Sequence, residues 1–187
     1  FKVSKHEDKL GMRASNTCEL VIQDAVVPKD RIVGKPGQGF IIAMSALNGG
    51  RIGAAAQAVG MMQAMLDDSV AYAKERVQFG KNIGSQQAIQ WMIAEMAADL
   101  NAARQLTYHA AALADAGKPY STEAAMAKLF AAEAGMKHAV NAVQIQGGYG
   151  YCKPSRVERI MRDIKILSIY EGTSEIQKLV ISGSIMK

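Results

Sequence analysis

Ser85-Gln86-Gln87-Ala88-Ile89-Gln90-Trp91-Met92-Ile93-Ala94-Glu95-Met96-Ala97-Ala98-Asp99-Leu100-Asn101-Ala102-Ala103 sets the period of the chain. Ile89, Met92, Ile93, Met96, Leu100 and Ala103 recur at steps of three and four, which places them on one face of a helix. Ser85 is a good helix cap. The pattern stops near Gly117-Lys118-Pro119, glycine and then proline in the order that ends a helix. The same period extends in both directions. Upstream, Ile42, Ala46, Ile52, Ala56, Val59 and Leu66 share a broad apolar face and predict a helix from about Phe40 to Glu75. Downstream, a helix opens at Ser121 or Thr122 and runs through Met126, Leu129, Phe130, Met136, Val140 and Val143 to Gln146. Gly147-Gly148-Tyr149-Gly150-Tyr151 breaks it.

Shorter elements complete the pattern. Ser155-Arg156-Val157-Glu158 has the form of a capping box opening a helix to about Ile164. A last helix covers about Ser174 to Ser182. Near the start, the β-branched run Leu20 to Val27 reads as a strand ended by Pro28, followed by a loop at Gly34, Pro36, Gly37 and Gly39. The expected fold is mainly α, an antiparallel four-helix bundle over residues 35–187. A short β-containing N-terminal stub over residues 1–34 precedes it.

Composition agrees with a helical domain. Of 187 residues, 49% are hydrophobic and only 6% aromatic, with 11 Met. Cys18 and Cys152 lie far apart, and His6, His109 and His138 are scattered without ligand spacing, so no metal site is expected. With no cysteine framework, a reduced, intracellular setting is the expectation. Twenty-two basic and 17 acidic residues leave a net charge of +5. The densest basic cluster, Arg156, Arg159, Arg162 and Lys165, reads as a solvated helix face rather than a nucleic-acid surface. No apolar run approaches the ~20 residues that span a bilayer. The chain opens on Phe1 rather than Met, which reads as a fragment or a processed product.

Four polar or glycine-rich breaks punctuate the helices, containing Arg51, Arg76 with Phe79-Gly80, Gln144 to Gly150, and Glu171 to Glu175. Loops at one end of a bundle can converge on one ligand, and Arg76 offers a fork of donors suited to phosphate. Gly49-Gly50 is either a kink or a place where something packs on the backbone. The Tyr170-Glu171-Gly172-Thr173-Ser174 segment also has two readings. It is a helix start capped by Thr173 or Ser174, or a loop that presents the Glu171 carboxylate for chemistry.

Taken in order, the motifs are specific. Arg76-x-x-Phe79-Gly80 and Gln87 are followed by Gln144-Ile145-Gln146-Gly147-Gly148-Tyr149-Gly150. Arg162-Asp163 and Ile169-Tyr170-Glu171-Gly172-Thr173-Ser174 come next. This set resembles the C-terminal half of the acyl-CoA dehydrogenase family. Lys9-Leu10-Gly11-Met12-Arg13-Ala14-Ser15 and Gln177 to Gly183 look most like its bacterial short-chain (butyryl-CoA) branch.

The resemblance implies an FAD-dependent enzyme that dehydrogenates a short-chain acyl-CoA to a trans-2-enoyl-CoA. It implies electron-transferring flavoprotein as acceptor and a dimer of dimers as the full-length assembly. The location implied is the bacterial cytoplasm, or the mitochondrial matrix in a eukaryote. It assigns FAD contacts to Arg76, Phe79, Gln87, Gln144, Ile145, Gln146, Gly147, Gly148, Thr173, Ser174 and Glu175. Substrate contacts fall on Asn48, Arg51, Tyr170 and Gly172, and the catalytic base on Glu171. Asn48 stands where the family usually has an acid. Some branches carry the base on the first bundle helix, at the position of Gly50, which has no side chain to serve. Other readings are an isobutyryl-type dehydrogenase, an acyl-CoA oxidase, and a non-catalytic helical interaction module. The 187-residue chain alone is expected to bind FAD weakly and to be inactive.

Overall fold

In a computed structural model that describes residues 1–187, the chain forms six α-helices and two small hairpins. The first hairpin pairs β1 (Lys2–His6) with β2 (Cys18–Val21), antiparallel, with Val3 opposite Leu20. Then follow α1 (Gly39–Glu75), the small β3–β4 hairpin (Val77–Gln78 and Lys81–Asn82), α2 (Gln87–Asp115) and α3 (Ser121–Gln146). Short helices α4 (Gly148–Tyr151) and α5 (Arg156–Ile164) lead to the closing α6 (Ser174–Ile185).

Consecutive long helices run antiparallel, and α3 occupies the centre, packed on α1, α2, α5 and α6. Its composition explains that position. Ala124, Ala127, Ala131, Ala139 and Ala142 are fully buried, and such small side chains let neighbouring helices approach closely. Met62, Met65 and Met96 fill the remaining volume. Burying each contributes about 1.5–3 kcal/mol. No helix is long and apolar enough to cross a membrane.

The long helices fall where the hydrophobic period puts them, while local signals were less faithful. The expected strand at Leu20 to Val27 is shorter, because β2 stops at Val21 opposite Lys2 and the pairing strand has almost run out. Asp24 then adopts a left-handed conformation, and Val26 and Val27 are exposed. Ser85 is not a cap, since its hydroxyl donates to the Asn82 carbonyl at 2.7 Å and α2 starts after Gln86. Helix α5 does start after Ser155, but the capping box does not form. The Ser155 hydroxyl donates to Gln146 Oε1 at 3.4 Å, and Glu158 pairs with Arg162 at 2.9 Å. The glycine break after Gln146 is a single residue, Gly147, after which Gly148–Tyr151 coils into α4. In the basic stripe, Arg159 and Lys165 are exposed, Arg156 pairs with Asp68 on α1, and Arg162 is half-buried.

Candidate functional site

The segment before α6 is built around two successive left-handed residues, Glu171 (φ 56°) and Gly172 (φ 86°). A non-glycine residue held there costs of order 1–3 kcal/mol, so its surroundings must impose it. They do so from the inside. The ammonium of Lys128, only 1% exposed, donates to the Gly172 carbonyl at 2.6 Å. The fully buried amide of Gln177 donates to the same carbonyl at 2.8 Å and to the Glu171 carbonyl at 3.2 Å. Thr173 then caps α6, its hydroxyl accepting from the Ile176 N–H at 3.3 Å. The Ser174 hydroxyl donates to Glu133 on α3 at 2.5 Å.

The turn lays the Glu171 side chain against α1. A Cβ built on Gly50 would fall 2.2 Å from Glu171 Oε2, whereas one on Gly49 would meet nothing within 4 Å. Helix α1 runs unbroken through both. Backbone packing, rather than a kink, is therefore the outcome, and it belongs to Gly50 alone. The next residue, Arg51, is 4% exposed, with Nη1 donating to Asn48 Oδ1 at 2.9 Å and Nε left without a partner. Asn48 Oδ1 also accepts from the Ser121 hydroxyl at 3.1 Å.

Burial lowers the Arg51 pKa, opposed by the charge of Glu171. Burial and then Arg51 lower that of Lys128, against the carboxylates of Glu133, Glu171 and Glu175. The Tyr170 hydroxyl bonds Gln57 Oε1, and burial followed by the Glu171 charge raises its pKa. Glu175, exposed in the first turn of α6, has its pKa lowered by its own backbone N–H and then by Thr173. The Glu171 N–H donates to no group of the chain.

A second region lies at the far end of α1. Arg76 ends that helix, with its guanidinium carbon 5.5 Å from the Tyr149 ring centre. The two border an open cavity of about 610 Å³ that Tyr72, Ile83, Ile145 and Gly148 help to line. Gly147 and Gly148 face open space, where an added Cβ would meet nothing within 4 Å. A guanidinium, an aromatic face and unobstructed backbone suit an anionic, aromatic group such as a dinucleotide.

Asn48, Arg51 and Tyr170 to Ser174 are thus brought together at one end, and Arg76 with Ile145 to Gly148 at the other. Gln87 and Gln144 are exposed, and Phe79 projects from the β3–β4 turn at 92% exposure. Arg51 and Arg76 are separated by about 37 Å of helix at ~1.5 Å per residue. The four breaks therefore do not converge on one ligand within this chain, contrary to the expectation from loop placement.

The sequence profile described as acyl-CoA dehydrogenase, C-terminal domain, matches residues 37–186. The chain belongs to the acyl-CoA dehydrogenase family. It is 53% identical over its whole length to a short-chain specific acyl-CoA dehydrogenase of Clostridium acetobutylicum, covering 49% of that protein. It is 51% identical to an acryloyl-CoA reductase (NADH) of Anaerotignum propionicum, again over the whole chain and 48% of the relative. The butyryl-CoA dehydrogenase structure from Megasphaera elsdenii superposes with a TM-score of 0.98 at 48% identity, over all of this chain and 49% of that one. The chain spans about half the length of these relatives.

Lys128 and Gln177 were missed in the sequence. Lys128 left a signal there, as a lone cation inside Ala124-Ala125-Met126-Ala127-Lys128-Leu129-Phe130-Ala131-Ala132. A charge in such a run is either paired or functional. Gln177 left none.

Proposed function

We propose that this chain carries the base and part of the cofactor and substrate sites of an FAD-dependent short-chain acyl-CoA dehydrogenase. The observation that carries the reading is the Glu171 carboxylate, which occupies the space left by the missing side chain of Gly50 beside buried Arg51. In this reading Glu171 removes the α-proton of the acyl thioester. The unengaged Glu171 N–H is a donor available to the thioester oxygen, where negative charge develops. Tyr170, Gly172, Asn48 and Arg51 border the acyl-CoA. Arg51, held by Asn48 and with its buried Nε–H unpartnered, adds fixed positive charge next to the base.

FAD would be held at two places. Thr173 to Glu175 present one helix start, and Arg76, Phe79, Gln87 and Gln144 to Gly148 serve the distant end. The ~37 Å of helix between Arg51, beside the Glu171 turn, and Arg76 suits contacts made to two different flavins, one reached across a subunit boundary. That supports a homo-oligomeric enzyme; the family resemblance implies electron-transferring flavoprotein as its acceptor. When bound, the flavin supplies acceptance of the β-hydrogen as hydride.

The test is Glu171→Gln in the full-length enzyme. Dehydrogenation should fall by about 10²–10⁴-fold with FAD still bound. Near-normal turnover would sink the assignment. The relative named acryloyl-CoA reductase favours a second reading, net reduction of an enoyl-CoA on the same residues. Comparing saturated-thioester oxidation with enoyl-thioester reduction in one preparation separates the two.

A further inference from the structure

We propose that Lys128, with Gln177, is a positioning residue that sets the direction of the Glu171 carboxylate. This rests on the reading of Glu171 as the base. A buried ammonium is costly to keep, and the acceptor this one has is not a carboxylate but the main chain of the turn, the Gly172 carbonyl at 2.6 Å. Gln177 grips the same oxygen and the carbonyl of Glu171. The two peptide planes that follow the Glu171 α-carbon are therefore both anchored, and neither rotates without losing a donor.

Glu171 and Gly172 hold positive φ in succession, a conformation a free turn leaves readily. If it relaxed, the Glu171 α-carbon to β-carbon bond would swing and the carboxylate would leave the niche at Gly50. The packing of Gln177 Nε2, 2.7 Å from where a Gly172 side chain would begin, makes the grip close as well as polar. Lys128 touches neither thioester nor flavin in this proposal, and it acts through the turn.

The experiment uses the full-length flavoenzyme with Lys128→Met, Lys128→Arg and Gln177→Leu. Three quantities are read: the single-turnover rate of flavin reduction by butyryl-CoA, the Kd of butyryl-CoA, and the thermal midpoint. We expect Lys128→Met and Gln177→Leu to slow reduction on the order of 100-fold, the scale of a ~1 Å misplacement. Kd should stay within about threefold, and Lys128→Arg should recover part of the rate. Reduction within about threefold of wild type in either folded Met or Leu variant overturns the proposal. So does a loss in which Kd rises while the thermal midpoint falls and Lys128→Arg restores nothing, because that marks a merely structural role. If Lys128→Met does not fold, Gln177→Leu decides by the same thresholds. Glu171→Gln is run in parallel. An unaffected Glu171→Gln refutes the base, whereas an inactive Glu171→Gln beside unaffected clamp variants refutes only the positioning.

Discussion

Two regions along α1, one around Gly50 and Arg51 and one at its C-terminus, make opposite use of charge. At the Glu171 end, Lys128, Gln177 and Arg51 are buried, and each donates to the chain's own carbonyl or amide oxygens, with Arg51 Nε left unpartnered. At the Arg76 end, the guanidinium lies over Tyr149 at the edge of an open cavity, and the backbone beyond it at Gly147 and Gly148 is unobstructed. One end is organised before any ligand arrives, and the other offers groups to something outside the chain. Preorganisation of the first kind serves chemistry, and exposure of the second kind serves binding. The same helix can hold both because its length keeps them apart.

Exchanging a charge at each end breaks or sharpens this contrast most directly. Glu171→Gln should cost about 10²–10⁴-fold in the rate of flavin reduction and leave flavin affinity nearly unchanged. Arg76→Ala should do the reverse. It should weaken flavin binding roughly 10- to 100-fold, as expected for losing a charged hydrogen bond, while enzyme saturated with flavin reacts at close to the normal rate. Flavin titration and single-turnover kinetics on both variants separate the roles. A rate defect in saturated Arg76→Ala would erase the distinction.

The adjacent glycines test how tightly the first end is built. Gly50→Ala puts a methyl 2.2 Å from Glu171 Oε2, so the carboxylate or the helix must move. The expected cost is about 1–3 kcal/mol of stability with a loss of rate. Gly49→Ala meets nothing and should gain about 0.5–1 kcal/mol from helix propensity alone. Thermal unfolding of the pair checks both, and equal shifts would mean that the carboxylate does not occupy the niche.

What was legible in the sequence follows the same division. The long helices were legible because apolar period is a local property, and Thr173 was one of two adjacent caps on offer. The grouping of Asn48 and Arg51 with Tyr170 and Gly172 came from the family resemblance, not from local pattern. Ser85 and Ser155 misled because a hydroxyl takes whichever acceptor is nearest, here Asn82 O and Gln146 Oε1, and only the folded chain decides which. The separation of Arg51 from Arg76 was implicit in the unbroken helix between them. Lys128 meets Gly172 across 44 positions, a pairing that neither segment announces by itself.

The smallest expected effect lies in the wall between the two ends. His138 on α3 is 1% exposed, bonded to Asp99 Oδ2 at 2.8 Å through Nε2, with Nδ1 unpartnered. Asp99 in turn faces Lys137, and Lys137 pairs with Glu95 at 3.0 Å. Burial lowers the His138 pKa, and the bond to Asp99 only partly offsets it. Below the usual histidine range the unfolded chain therefore binds the proton more readily than the fold does. Stability is full above about pH 6.5 and declines as pH falls from there toward the depressed folded value. His138→Gln should flatten that slope in urea unfolding measured between pH 7.5 and 5. It should leave the rate contrast between Glu171→Gln and Arg76→Ala intact, because the imidazole belongs to neither end. A slope that persists in His138→Gln would move the titration to another group. A change in the contrast would mean that the wall transmits one end's state to the other.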